Sequence, residues 1–142
     1  MAVAIDCRFY GGPLREINPM IGNKKVVYIV DDDSAVRDSL KFALGLEGFV
    51  VRTHSNGPDL LRDNGMHEAD CLVLDCKMPA MDGFAVLSGL ASQSIKIPVI
   101  LITAPVNDAL RRRSKQHGVF SLLEKPLLDN ILLKNVRDAV SA

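Results

Sequence analysis

The sequence predicts one α/β domain: a doubly wound, five-stranded parallel sheet with helices on both faces. Three observations predict it. Short apolar runs alternate with amphipathic or polar stretches five times between residues 24 and 142, the pattern of parallel strands joined by right-handed helical crossovers. The run Cys71-Leu72-Val73-Leu74 is apolar throughout and then stops at Asp75, as suits a strand covered on both faces. Four of the five runs give way directly to a polar or charged residue. That marks the carboxyl edge of such a sheet, where chemistry gathers.

The elements follow in order. Residues 1–23 contain Gly11, Gly12, Pro13, Pro19 and Gly22 without a sustained period, and read as an N-terminal arm, extended or flexible. The domain is residues 24–142. Val26-Val27-Tyr28-Ile29-Val30 is β-branched and aromatic, a buried strand. Val36, Leu40, Ala43 and Leu44 then recur at helical spacing over residues 34–47, and Gly48 is the stop. Residues 49–53 are the second strand. Residues 58–64 are a short helix with Leu60 and Leu61 inward, ended by Gly65. Residues 70–74 are the central strand. Asp82 caps a helix to about Ser92, with Phe84, Val86, Leu87 and Leu90 as its apolar residues. Pro98 opens the fourth strand, Val99-Ile100-Leu101-Ile102, which ends in Thr103. A polar helix over 107–117 stops at Gly118. Residues 120–123 are the fifth strand, followed by Glu124-Lys125-Pro126. The last helix, 128–140, carries Leu132, Val136 and Val140 on one face.

Composition narrows the function. A chain of 142 residues, nearly half apolar, suits one domain with its own core. Zero formal net charge argues against direct nucleic-acid binding. No apolar run is long enough to span a bilayer, and the N-terminus lacks a secretory core. Cys7, Cys71 and Cys76 form no disulfide framework, which fits a reducing cytoplasm. Cys71 and Cys76 read as small buried hydrophobes. His54, His67 and His117 have no metal-ligand spacing and read as surface or boundary residues.

Asp75 alone reads as a turn or cap residue as readily as a nucleophile or metal ligand. Its neighbours along the sheet edge change the balance. The first strand ends in Asp31 and Asp32, the fourth in Thr103, and Lys125 follows the fifth. These ends lie side by side in a doubly wound sheet, so the five residues converge. Three clustered carboxylates repel one another unless a cation sits among them. An all-oxygen set suits Mg²⁺, which takes few carboxylates and keeps several waters. Three carboxylates, Mg²⁺ and the Lys125 ammonium together carry about zero charge. A carboxylate can attack phosphorus and form an aspartyl phosphate. Mg²⁺ and Lys125 would hold the phosphoryl oxygens, with the Thr103 hydroxyl on one of them.

Asp31-Asp32, Asp75 with Met78-Pro79 and Asp82-Gly83 after it, Ile102-Thr103, and Lys125-Pro126 resemble the receiver domain of bacterial two-component response regulators, FixJ-type receivers most of all. The resemblance covers about residues 24–142. It implies a flavodoxin-like fold with strand order 2-1-3-4-5. It implies Asp75 as phosphoacceptor, with Mg²⁺ held by Asp31, Asp32, Asp75 and the Lys77 carbonyl. Thr103 would be the switch hydroxyl, Lys125 the phosphate partner, and Lys125–Pro126 a cis bond. The implied donor is a sensor histidine kinase, a phosphotransfer protein or a small acyl phosphate. An output domain or partner would meet the fourth helix and fifth strand, and phosphorylation would favour a homodimer.

The sequence also departs from that family. Leu122 stands where a switch aromatic is usual, and Ala104-Pro105 replaces a small, flexible turn. The fourth helix reads Leu110-Arg111-Arg112-Arg113-Ser114-Lys115, where small apolar residues are usual; its arginines read as a solvated face rather than a docking patch. Two alternatives remain. An aspartyl-phosphate phosphatase of the haloacid-dehalogenase type wants a second acid where Lys77 stands. A binding module independent of phosphate would have no need of the complete acidic set.

Overall fold

The computed structural model describes residues 24–127 and 130–142; the predicted N-terminal arm lies outside the described residues. Five strands form one parallel sheet in the order β2-β1-β3-β4-β5. They are β1 (Val26–Val30), β2 (Val50–His54), β3 (Cys71–Asp75), β4 (Val99–Thr103) and β5 (Ser121–Glu124). The helices are α1 (Ser34–Leu46), α2 (Gly57–Leu61), α3 (Gly83–Ser92), α4 (Asp108–Gln116) and α5 (Ile131–Ser141), with a 3₁₀ turn over Asn64–Glu68.

Alternation along the strands builds two cores. Val27 and Ile29 of β1 join Cys71, Val73, Ile100 and Ile102 on one face, against Leu44 of α1 and Leu132 and Val136 of α5. Tyr28 and Val30 join Leu72, Leu74 and Leu101 on the other, against Leu60, Phe84, Val86 and Leu90. Each fully buried aliphatic side chain contributes about 1.5–3 kcal/mol. The central strand is buried along its whole length, as its unbroken apolar run requires.

Several boundaries differ from the sequence reading, for local reasons. Parallel pairing of Val26 with Val50 and of Val30 with His54 carries β2 to His54. Pairing of Thr103 with Glu124 likewise moves β5 one residue on. The short helix starts at Gly57 because the Asn56 side chain accepts the Asp59 N–H at 2.8 Å, with Pro58 in its first turn. It ends at Leu61. Gly65 is no helix stop: Asp63 accepts its N–H at 2.7 Å and opens the 3₁₀ turn. In α1, Leu44 is the buried residue and Ala43 is exposed. Gly48, at φ +93°, supplies the left-handed residue that turns the chain after α1. The described last helix begins at Ile131; the predicted start at 128 falls on residues outside the description.

Candidate functional site

The carboxyl edge of the sheet places the candidate residues by strand geometry alone. Asp31 follows β1, Asp75 is the last residue of β3, and Thr103 is the last of β4. Lys125 follows β5, and its N–H donates to the Thr103 carbonyl at 2.7 Å, extending the ladder past the strand. Carboxylate oxygens of Asp31, Asp32 and Asp75 all lie within 4.8 Å of one another. Asp31 and Asp75 are buried, whereas Asp32 is exposed at the mouth.

Lys125 is the cation of the cluster. Its Nζ lies 3.2 Å from Asp31 Oδ2 and 3.5 Å from Asp75 Oδ2. Burial pulls the Lys125 ammonium down, but its hydrogen bond to Asp31 and the two carboxylate charges outweigh that and raise it overall. Burial, and next the charge of Asp31, push the Asp75 carboxyl up to about 6, against the opposing pull of Lys125. One ammonium does not neutralise three acids. The set is short of positive charge and offers only oxygen donors, which fits a hard divalent cation such as Mg²⁺.

The surrounding backbone fixes each acid. Asp31 Oδ1 accepts the Asp33 N–H at 2.9 Å, and the Arg37 guanidinium donates to the Asp31 carbonyl at 2.7 Å. Asp75 Oδ1 accepts the Lys77 N–H at 3.2 Å. The loop after β3 folds back so that the Gly83 N–H donates to the Cys76 carbonyl at 2.8 Å. A Cβ at Gly83 would stand 3.0 Å from the Cys76 Cα and 3.1 Å from the Asp75 carbonyl oxygen. A side chain there would press on this backbone and force it to shift by a few tenths of an ångström, so glycine suits the close start of α3. The Thr103 hydroxyl is buried beside the cluster with no hydrogen-bond partner among the described residues, a costly state unless a ligand oxygen completes it.

A sequence model of the response regulator receiver domain matches residues 27–137. The chain belongs to that family. The receiver domain is 35% identical over 118 residues to the C4-dicarboxylate transport transcriptional regulatory protein DctR of Rhodobacter capsulatus, covering 82% of this chain and 60% of that protein. It is 31% identical over 114 residues to the transcriptional regulatory protein FixJ of Bradyrhizobium diazoefficiens, covering 80% and 56%. The chain thus spans little more than half the length of these curated relatives. Among solved structures, that of FixJ-N matches with a TM-score of 0.73 at 31% identity, over 83% of this chain and 94% of that one. The response regulator StyR matches with a TM-score of 0.77 at 32% identity, over 83% and 60%. The flavodoxin-like order expected from the sequence is the one the receiver domain adopts.

The sequence reading did not foresee several side-chain contacts around the site. Lys77 and Glu124 bond across to the loop after β4 (Lys77 Nζ to the Ala104 carbonyl at 2.7 Å, Glu124 Oε2 from the Val106 N–H at 3.1 Å). His54, read as a boundary residue, is 2.8 Å from Asp63 Oδ2 and stacks on Tyr28. The arginine run is not uniformly solvated: the Arg113 guanidinium carbon lies 4.0 Å from the centre of the Phe84 ring. The peptide bonds before Pro105 and Pro126 are both cis. No described helix is long and apolar enough to cross a membrane.

Proposed function

We propose that this receiver domain is a phosphorylatable switch of a two-component relay, in which Asp75 takes a phosphoryl group from a phosphohistidine. The donor is a sensor histidine kinase or phosphotransfer protein, with small acyl phosphates as substitutes. The observation that carries the reading is the cluster itself: three carboxylates within 4.8 Å, one of them at the end of the central strand. An Asp75 carboxylate oxygen attacks phosphorus, the phosphorus–nitrogen bond breaks, and its electron pair leaves on the imidazole. Asp31, Asp32, Asp75 and the Lys77 carbonyl would hold Mg²⁺, which when bound draws charge from the phosphoryl oxygens. Lys125, already 3.5 Å from Asp75, receives one phosphoryl oxygen. The unpartnered Thr103 hydroxyl receives another. The protein acts as a signalling phosphoacceptor rather than an enzyme with a turned-over substrate. Buried, free Cys71 and Cys76 support a cytoplasmic setting. Acetyl phosphate with Mg²⁺ tests the reading: stable labelling supports it. Sustained phosphoester turnover favours a phosphatase, and the absence of both labelling and turnover favours a binding module.

Lys125→Ala separates the phosphate role from the metal role. Its ammonium is no metal ligand and repels a cation at the site, so Mg²⁺ affinity by titration calorimetry should hold or rise modestly. Phosphorylation should fall by about one to two orders of magnitude, as one charge-assisted contact to the transferred group is lost. Collapse of Mg²⁺ affinity with normal labelling would contradict the assignment.

The readout passes through the loop after β4 and α4. Leu122 is half-buried and has no ring or hydroxyl to rotate. Of α4, Ser114 is buried, Leu110 is half-buried against the core and the Arg113 guanidinium lies over Phe84, so the helix should be among the least stable elements. Beryllofluoride with Mg²⁺ should therefore change hydrogen exchange most between residues 104 and 118. Arg111 and Arg112 would move with α4 and alter a partner or output contact, or a homodimer contact. Changes confined to α1 and α2, with this segment silent, would overturn the proposed route.

A further inference from the structure

Among the described residues, three bonds hold the loop after β4 and the Thr103 carbonyl that opens it. The Lys125 N–H to the Thr103 carbonyl, at 2.7 Å, continues the sheet and cannot yield without fraying β5. The other two are side-chain tethers. Glu124 Oε2 accepts the Val106 N–H at 3.1 Å, and Lys77 Nζ donates to the Ala104 carbonyl at 2.7 Å. Among the described residues, Lys77 is the one side chain of the loop after β3 that hydrogen-bonds to the loop after β4.

Lys77 also stands in a singular place with respect to charge. Its N–H donates to Asp75 Oδ1 at 3.2 Å, so its backbone is fixed to the phosphoacceptor while its ammonium is fixed to the opposite loop. The Thr103 hydroxyl is buried and without a partner. Ala104, whose carbonyl Lys77 holds, is the next residue along. A shift of Thr103 towards an oxygen on Asp75 must carry Ala104 with it. The Lys77 bond must therefore yield or re-form when that shift occurs.

Resting on the phosphoacceptor reading, we infer that Lys77 is a positioning residue, a latch whose ammonium holds the Ala104 carbonyl at rest and lets it go when charge arrives on Asp75. A neutral carbonyl attracts an ammonium less than a phosphoryl group carrying roughly two negative charges. New charge two residues away thus weakens the hold on Ala104. The Glu124 bond is a carboxylate-to-amide contact and gains nothing from the new charge. It remains as the pivot at Val106, and Asn107, which caps α4 by accepting the Leu110 N–H at 2.8 Å, begins the part that moves. Loop release and charge at Asp75 are thereby coupled through one side chain.

Hydrogen exchange on the full chain tests the latch, comparing wild type with K77M and K77R, each with and without beryllofluoride and Mg²⁺. Both variants keep the Lys77 backbone carbonyl, and Lys77 is exposed, so melting should be unchanged. In free K77M, residues 104–118 should exchange roughly three- to tenfold faster, the fold-change of one exposed hydrogen bond. The beryllofluoride-induced change there should shrink, because the loop is already released. K77R keeps a charged donor and should behave as wild type. Equal exchange in free K77M and wild type, with an undiminished beryllofluoride response, overturns the latch. So does equal loosening in K77R, which would mean a merely packed side chain. A wild-type protein that ignores beryllofluoride refutes the phosphoacceptor reading instead, while the comparison of the free proteins still judges the tether.

Discussion

Asp75→Asn is expected to abolish acid-stable, base-labile phosphate incorporation from acetyl phosphate, by about two orders of magnitude or more. Asp75 is the acid that ends the central strand, buried with its Oδ2 3.5 Å from Lys125. Asp31 is also buried, but it follows β1 rather than ending the central strand, and its Oδ2 stands closer to Lys125, at 3.2 Å. Asp32 is exposed and lacks the enclosure that a reacting oxygen needs. Asparagine keeps the shape of Asp75 but gives up the nucleophilic charge. The same change should make the metal-free protein more stable at pH 7 by about 1–2 kcal/mol, since a buried, repelled carboxylate becomes neutral. Thermal melting in EDTA reads that gain. Full labelling of the variant, measured by radiolabel or intact mass, would remove Asp75 from its assigned role.

The sheet and the acidic edge were legible in the sequence because both follow from strand periodicity. A fully buried parallel strand must be apolar, and its first polar residue marks where it leaves the sheet. Asp31, Asp75 and Thr103 were found that way, Lys125 lies one residue past the first polar residue after the fifth run, and the structure brings the sheet-edge acids and Lys125 together. Register was less legible. Nothing local in residues 49–54 says whether Phe49 or His54 belongs to β2; pairing of Val26 with Val50 decides it. Side-chain tethers were not legible at all. Lys77 and Glu124 look like ordinary loop charges, and their bonds to Ala104 and Val106 depend on how far two loops stand apart. The same holds for Arg113, whose charged head suggested solvent while its guanidinium lies over Phe84. In each case periodicity reports which face a residue is on, but not which neighbour a long side chain reaches.

Removing the metal should have the second largest effect, and its size depends on pH. Labelling should fail in EDTA and return with Mg²⁺ or Mn²⁺, because three carboxylates around one ammonium leave the site too negative for a phosphoryl group. Stability follows from the same charges. The Asp75 carboxyl rises from 3.8 to about 6 on folding. Between those values the folded metal-free protein binds more protons than the unfolded chain. Its stability should therefore fall as pH rises from about 4 to about 6, by about 2–3 kcal/mol, and stay low above that. Asp63, held below the usual carboxylate range by its hydrogen bond to His54, acts in the opposite sense and only below about pH 4. The two effects occupy separate windows. Mg²⁺ needs ionised Asp75, so it should restore stability above pH 6, bind progressively more weakly below it, and release a proton on binding near that pH. Asp32→Ala should weaken Mg²⁺ binding and raise metal-free stability, since one repelling charge is gone. Calorimetry in two buffers of different ionisation enthalpy measures the proton release, and melting with and without Mg²⁺ measures the rest. Metal-free stability that climbs between pH 4 and 6, or Mg²⁺ affinity indifferent to Asp32, would show that the three carboxylates do not act as one charged site.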